Sequence, residues 1–299
     1  MASKSPFFIL VEKYIYLAIL SIILIIKKKK KRRYTMAYIK EYWNGKEQRA
    51  REAKEHTAKM ERKYQDFIKK AIENTRCYST DFKIREKSCN ENMKLIVDDI
   101  DSVSAIMKYK KDNGRMAVLN FASYKNPGGM FINGSKAQEE CLCHESFLYN
   151  VLKEKEEYYE WNNKHKNKSL YLNRALYSPN ILFIKKGKYN EELKYCDVIT
   201  CAAPNKSAAQ KYLNVSNEEN TKALTDRIRF LLDVASDNDA KTLILGGYGC
   251  GVFGQEPKEV AHIFKETLKQ YDFELVVFAI PDGKNTNLKS FRETFKERK

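Results

Sequence analysis

The segment that most restricts what this chain folds into is Leu243-Ile-Leu-Gly-Gly-Tyr-Gly-Cys-Gly-Val-Phe-Gly254, where an apolar run enters five glycines within nine residues. A buried strand must end where its side chains disappear. Glycine tolerates positive φ and lets backbone N–H groups close on a ligand. Pro257 follows and suits the first turn of a helix, because it has no N–H to leave unpaired. The predicted unit is therefore strand, anion-binding turn and helix, with the helix amino terminus adding free amides for a phosphate or diphosphate. A tight turn that needs glycine only for its backbone angles is the structural alternative. Gly249-Cys-Gly-Val-Phe-Gly254 also matches GxGxxG, but a dinucleotide fold wants an acid about 20 residues on and a second half-domain. Here the next strand ends near Asp282 and 17 residues remain. That excludes a nicotinamide dehydrogenase and leaves the diphosphate inference standing.

The second constellation is Leu119-Asn-Phe-Ala-Ser-Tyr-Lys-Asn-Pro-Gly-Gly-Met130, followed at a short distance by Gln138-Glu-Glu140. A strand ends, Pro127-Gly128-Gly129 turns the chain, and a helix starts at two adjacent carboxylates. Acids at a helix start are favoured by the dipole whether or not they do chemistry. Neighbouring helical residues also point roughly 100° apart, so Glu139 and Glu140 cannot flank one bond from opposite faces, and at most one is expected to reach a scissile atom.

Beyond residue 90, short β-branched runs alternate with amphipathic stretches, which predicts an α/β domain. Expected strands are Leu95 to Val97, Met116 to Phe121, Ile181 to Ile184, Val198 to Ala202, Thr242 to Leu245 and Leu275 to Ile280. Expected helices are Ser102 to Lys111, Gln138 to Lys155, Glu218 to Ala235 and Pro257 to Gln270. Glu156 to Ser178 lacks periodicity and reads as a surface excursion. From Asn44 to Asn74 the residues are good helix formers. Apolar positions crowd towards the end of that stretch, so its later part is expected on the core and its early part reads as a solvated face.

Domain size allows one large domain or two small ones in 299 residues. With 43% hydrophobic and 31% charged residues, a polytopic membrane protein is excluded. The net charge of +16 suits a phosphate-rich ligand, nucleic acid or anionic lipid. Residues 1–35 hold nine Lys or Arg against Glu12, so +8 of the excess lies there. Phe7 to Ile26 is close to bilayer-spanning length, interrupted by Glu12 and Lys13, and seven cations follow at Lys27 to Arg33. Two readings fit: a single membrane anchor with the domain facing the cytoplasm, or translated sequence upstream of a start at Met36. The expected division is a leader over 1–35, a helical region over 36–90 and the catalytic domain over 91–299. Seven cysteines without repeated CxxC pairs point to reduced thiols in the cytoplasm. Cys141, Cys143 and His144 lack a second ligand pair at zinc spacing, so no metal or other cofactor is expected.

Taken together, Asn120-Phe-Ala with Pro127-Gly-Gly, Gln138-Glu-Glu140, Thr200-Cys-Ala-Ala-Pro-Asn205 and Gly247-Tyr-Gly-Cys-Gly-Val-Phe-Gly254 resemble the microbial-type poly(ADP-ribose) glycohydrolases, a branch of the macrodomain superfamily. The resemblance covers about residues 40 to 285. It implies a three-layer α/β/α macrodomain-like fold with a mixed central sheet and an N-terminal helical extension. It implies an enzyme that cuts the ribosyl glycosidic bond of poly(ADP-ribose) or of ADP-ribosylated proteins. Gln138, Glu139 and Glu140 would form the catalytic loop beside Gly128 and Gly129, and Asn120 would contact the ribose. Gly249, Gly251, Val252, Phe253 and Gly254 would hold the diphosphate, with Phe253 packing on the ligand and Pro204 and Asn205 on its rim. Asp101 would be the acid near adenine. Glu140 is assigned to proton transfer, with Glu139 holding the ribose. The family has three glycines before the acidic triplet, and this chain has Gly128, Gly129 and then Met130, which narrows the space beside the terminal ribose. A non-catalytic ADP-ribose reader is the alternative, and no specific nucleic-acid partner is expected.

Overall fold

The computed structural model describes residues 45–84, 89–111, 114–186, 191–283 and 286–296. A seven-stranded mixed sheet runs through the centre in the order β1-β4-β5-β3-β6-β7-β2. The strands are β1 (Arg76–Tyr78), β2 (Lys94–Asp98), β3 (Arg115–Phe121), β4 (Ala175–Lys186), β5 (Glu191–Cys201), β6 (Ala240–Leu245) and β7 (Leu275–Ala279). From β5 through β3, β6 and β7 to β2 the pairing is parallel, whereas β1 and β4 add an antiparallel edge.

Strand side chains alternate between faces, and that alternation makes the layers. Ala117, Leu119, Leu243, Leu245, Val276 and Phe278 pack on one side against α7 (Asn217–Asp237), α8 (Pro257–Leu268) and α9 (Asn287–Phe295). Met116, Val118, Ile244 and Val277 face the other side, packed with a helix over 45–74 (α1), α2 (Ser102–Tyr109), α3 (Gln138–His144), α4 (Leu148–Leu152) and α5 (Glu156–Lys164). The central strands are thus apolar on both faces, as a parallel sheet covered by helices requires. Each such Leu, Val or Phe contributes about 1.5–3 kcal/mol on burial. The result is a three-layer α/β/α fold. α6 (Lys206–Leu213) lies outside the two large cores, with Ala209 packed against Leu170 and Val215.

All six expected strands are present, and two are much longer than their apolar runs. β4 begins at Ala175 because Pro179 and Asn180 form a bulge instead of ending the strand: the register with β5 shifts between Ser178 and Ile181. Asn180 has φ +55° and its N–H donates to Asp197 Oδ1 at 2.7 Å. A proline without a donor is tolerated where pairing is already interrupted. The expected helix from Gln138 to Lys155 is two helices. Ser146 breaks it: its hydroxyl donates to the Leu142 carbonyl at 2.6 Å and accepts from the Leu148 N–H at 3.0 Å. At the break the Ile184 N–H on β4 donates to the Glu145 carbonyl.

The stretch read as a surface excursion is corrected. Tyr158, Tyr159 and Asn162 of α5 are buried, so the segment closes the core instead of looping over it. The early part of α1 is corrected likewise. Ala53 is buried, and the Arg49 Nε donates to the Gly134 carbonyl at 2.8 Å. β1, α6 and α9 were not anticipated. The apolar run from Phe7 to Ile26 lies outside the described residues, among which no helix is long and apolar enough to cross a membrane.

Candidate active site

Parallel strands gather their carboxyl ends, and hence the loops that follow them, along one edge of the sheet. Asn120, near the end of β3, is fully buried. Its Nδ2 donates to Glu139 Oε1 at 3.1 Å and to Thr200 Oγ1 on the neighbouring β5 at 3.3 Å. Its Oδ1 has no partner among the described residues, which leaves an acceptor for a ligand group.

α3 is pinned to the end of β3 by Gln138. Its Oε1 accepts from the Phe121 N–H at 2.8 Å, while Nε2 donates to the Leu119 carbonyl at 2.8 Å and to Ser102 Oγ at 3.1 Å. Glu139 Oε2 accepts from the Ser123 N–H at 2.6 Å. Glu140 accepts from the amides of Met130 at 3.0 Å and Ala137 at 2.8 Å, the two ends of the loop that leads into the helix. Only half of a capping box is present, since the alanine at position 137 has no side-chain acceptor. Both glutamates are almost fully buried, at 3% and 6% exposure. Burial pushes the Glu139 carboxyl up to about 8, against the pull of its two donors, Ser123 N–H and Asn120.

The two carboxylates meet at Gly129. Its φ is +62°, and a Cβ there would lie 2.7 Å from Glu140 Oε1 and 2.9 Å from Glu139 Oε2. Side chains that diverge by about 100° at the helix axis reconverge because each glutamate has flexible torsions and the facing residue has no side chain. Both carboxyl groups therefore border the same glycine. Gly128, also at φ +62°, packs its bare Cα against Tyr149 and Cys143. Met130, where a third glycine was expected, is 43% exposed, and its sulfur lies 3.9 Å from Asn133 Nδ2.

The glycine loop after β6 lies beside the end of β3, to which Gln138 ties α3. Phe121 meets Tyr248 edge to face at 5.8 Å, and a Cβ on Gly246 would come within 3.0 Å of the Phe121 ring. Gly249 (φ +74°) passes so close to Ala203 and Gln255 that a Cβ would lie under 3 Å from each. Gln255 is buried, donates to the Pro204 carbonyl at 2.8 Å and pairs reciprocally with the Asn220 amide. This locks the loop onto the Ala202 to Asn205 segment after β5. The amides of Tyr248, Cys250, Gly254 and Gln255 are used within the loop. Those of Gly249, Gly251, Val252 and Phe253 donate to no group among the described residues, and the space beside Gly251 is open. Val252 stands at the tip, 89% exposed. Phe253 turns inward towards the stacked rings of Tyr124 and Tyr171. Beneath the segment lies the buried Arg227 guanidinium, which donates to the Ala202 carbonyl and to Asn173 Oδ1.

Of the expected site residues, Asn120, Gly128, Gly129, Gln138, Glu139 and Glu140 come together, and Gly249, Gly251, Val252, Phe253 and Gly254 form the adjoining loop. Asp101 does not join them. It caps α2, accepting from the Ser104 N–H at 2.8 Å and from the Ser104 hydroxyl, and pairs with Lys185 at 3.2 Å. Asp99, directly after β2, stands at the strand-end edge, and its Oδ1 accepts from the Asp282 N–H after β7 at 2.5 Å. The spacing Asp101 to Ser104 is itself a helix-cap signal. Ser123, Tyr124, Thr200 and Tyr171, which also build the site, carry no such signal. The open groove along α7 around Asn217, Thr221 and Asp226 contains none of these groups, whereas a second groove beside it is lined by Tyr171, Asn173 and Arg227.

A family model described as microbial-type PARG, catalytic domain, matches residues 46–186. The crystal structure of poly(ADP-ribose) glycohydrolase from Deinococcus radiodurans in complex with ADP-ribose is 30% identical, with a TM-score of 0.69, covering 76% of this chain and 96% of that one. The chain belongs to the microbial-type poly(ADP-ribose) glycohydrolase family. A second glycohydrolase structure, from Thermomonospora curvata, is 27% identical with a TM-score of 0.76, covering 83% of this chain and 100% of that one. No curated protein sequence matches. The family model spans α1, β3, the Gly128-Gly129 turn and the acidic triplet, and ends before the glycine loop that follows β6.

Proposed function

We propose that the chain is a hydrolase that cleaves the ribosyl C1 to oxygen bond of poly(ADP-ribose) or protein-linked ADP-ribose and releases ADP-ribose. The observation that carries this is the meeting of Glu139 and Glu140 at Gly129, one loop away from four uncommitted amides. The free N–H groups of Gly249 to Phe253 take the diphosphate, with the buried Arg227 adding positive potential behind them. Asn120 Oδ1 and Glu139 hold ribose hydroxyls. Asp99 contacts the adenine in place of Asp101, whose oxygens are taken up by the helix cap and Lys185.

Cleavage builds positive charge on the sugar, so the leaving oxygen must be protonated as the bond breaks. Glu140 donates that proton and then takes one from the attacking water. Glu139 steadies the ribose, and Gln138 keeps the helix start against β3. The amides of Met130 and Ala137 fix the Glu140 carboxylate, which removes the entropic cost of orienting it. A macrodomain assignment rests on the sheet order and on the site at the strand carboxyl ends. A cytoplasmic location rests on the seven free thiols.

Glu140→Gln tests the reading. Release of ADP-ribose from poly(ADP-ribose) is expected to fall by about 10²-fold or more, the size of lost acid–base catalysis, while ADP-ribose affinity by calorimetry stays within a few-fold. Unchanged turnover rules out the role given to Glu140. Binding without release in the unaltered protein makes the chain a reader.

A further inference from the structure

The segments that border the catalytic loop carry cations and no acids. Residues 122–138, 161–174 and 202–216 hold two, four and two Lys or Arg, with no Asp or Glu in any of them. Lys168 and Lys206 are matched by Glu219 and Glu259 at 4.0 Å. Lys125, Lys164 and Lys166 are exposed and have no carboxylate within 4.0 Å among the described residues.

These three lie together and close to the reacting carboxylates. Tyr124 follows Ser123, the residue bonded to Glu139, and its hydroxyl donates to the His165 carbonyl at 2.9 Å. Asn162 and Asn163 of α5 donate to the carbonyls of Tyr124 and Lys125 at 3.0 and 3.2 Å. One tyrosine side chain therefore separates the Lys164 to Lys166 strip from the loop that holds Glu139. Beside the strip is a stack: His165 lies on Trp161 at 3.8 Å with 14° between the rings, and Arg174 lies 4.3 Å from the Trp161 ring. Two groups that close occupy opposite faces of the indole, so the exposed imidazole presents its outer face to solvent.

We propose that this strip binds the ADP-ribose unit next to the one being cleaved, with its adenine on His165 and its diphosphate among Lys125, Lys164 and Lys166. The inference rests on the glycohydrolase reading. In the polymer the scissile ribosyl bond leads to an adenosine hydroxyl, so the leaving group is an adenosine followed by a diphosphate. An aromatic platform beside unpaired ammonium groups matches that order, since every base has a π face and each phosphate a charge. Proximity to Glu139 favours a chain held at its cleaved end over a nucleic acid bound elsewhere.

The test uses the full chain carrying Lys125→Glu, Lys164→Glu and Lys166→Glu together, and separately His165→Ala. The triple variant is expected to raise KM for long poly(ADP-ribose) about tenfold, with a shallower salt slope, since each lost phosphate contact on a single strand removes about 0.7 from it. His165→Ala is expected to raise the same KM severalfold. In both, kcat and the Kd for free ADP-ribose stay within about twofold, which globally misfolded protein would not show. An unmoved polymer KM overturns the proposal, as does a parallel loss of free ADP-ribose affinity. Single-stranded poly(dA) that competes as well as the polymer assigns the strip to nucleic acid instead. If the unaltered protein releases no ADP-ribose, the glycohydrolase reading falls and this one with it. Release by the unaltered protein with no change in the variants defeats this inference alone.

Discussion

Burial raises the Glu139 carboxyl from an ordinary 4.5 to about 8, so the folded protein binds a proton there that the unfolded chain has released. Stability from this group is present below about 4.5 and is lost as pH rises through about 8. Glu139→Gln removes the titration. The melting temperature of that variant relative to the unaltered protein is therefore expected to climb between pH 5 and pH 8.5, and a flat difference contradicts the assignment. The strand ending at Phe121, the turn at Gly128 and the acidic triplet are legible from residue types, but the meeting of two carboxylates at Gly129 is not. It depends on a bare Cα facing the helix start, a tertiary contact with no local signal.

At the scale of elements, α1 braces the catalytic loop. A Cβ on Gly134 would lie 2.9 Å from the Ala50 nitrogen, and Arg49 binds the Gly134 carbonyl. His56 lies 2.7 Å from the Ser146 carbonyl, and Phe131 sits between His56 and His144. Glu140 is bonded to both ends of the same loop, at Met130 and Ala137. Arg49→Ala is expected to lower kcat roughly 10- to 100-fold, the effect of misplacing a catalytic group by about 1 Å, with ADP-ribose affinity nearly unchanged. Arg49→Lys keeps a donor and is expected to recover part of the loss, measured as a kcat against Kd comparison. Helix-forming residue types identified this helix. The early part reads as solvated because Arg49, Ala50 and Ala53 look like an exposed face until Gly134 is placed against them, while the later part packs on the core as expected.

For the whole molecule, the sheet brings loops from five strands to one edge, and a ligand spanning them ties the layers together. Saturating ADP-ribose at about 100 times Kd is expected to stabilise the fold by about 2.7 kcal/mol. For a chain of this size that is a rise of roughly 5–10 °C in melting temperature, retained in Glu140→Gln. No shift in either protein contradicts the site. The strand cores and the glycine loop were determined by sequence, because apolar runs and the absence of side chains act locally, while the three layers were implied by the family resemblance. Tertiary structure alone decided that the Pro179 bulge lets β4 continue against β5, that the Glu145 carbonyl meets Ile184 of β4 where α3 and α4 part, and that Asp101 pairs with Lys185 while Asp99 meets the Asp282 amide. It also decided where Tyr124 and Tyr171 stack. Each of these outcomes depends on a partner distant in the chain, and a polar or aromatic residue takes its role from the donor, acceptor or ring that the fold sets beside it.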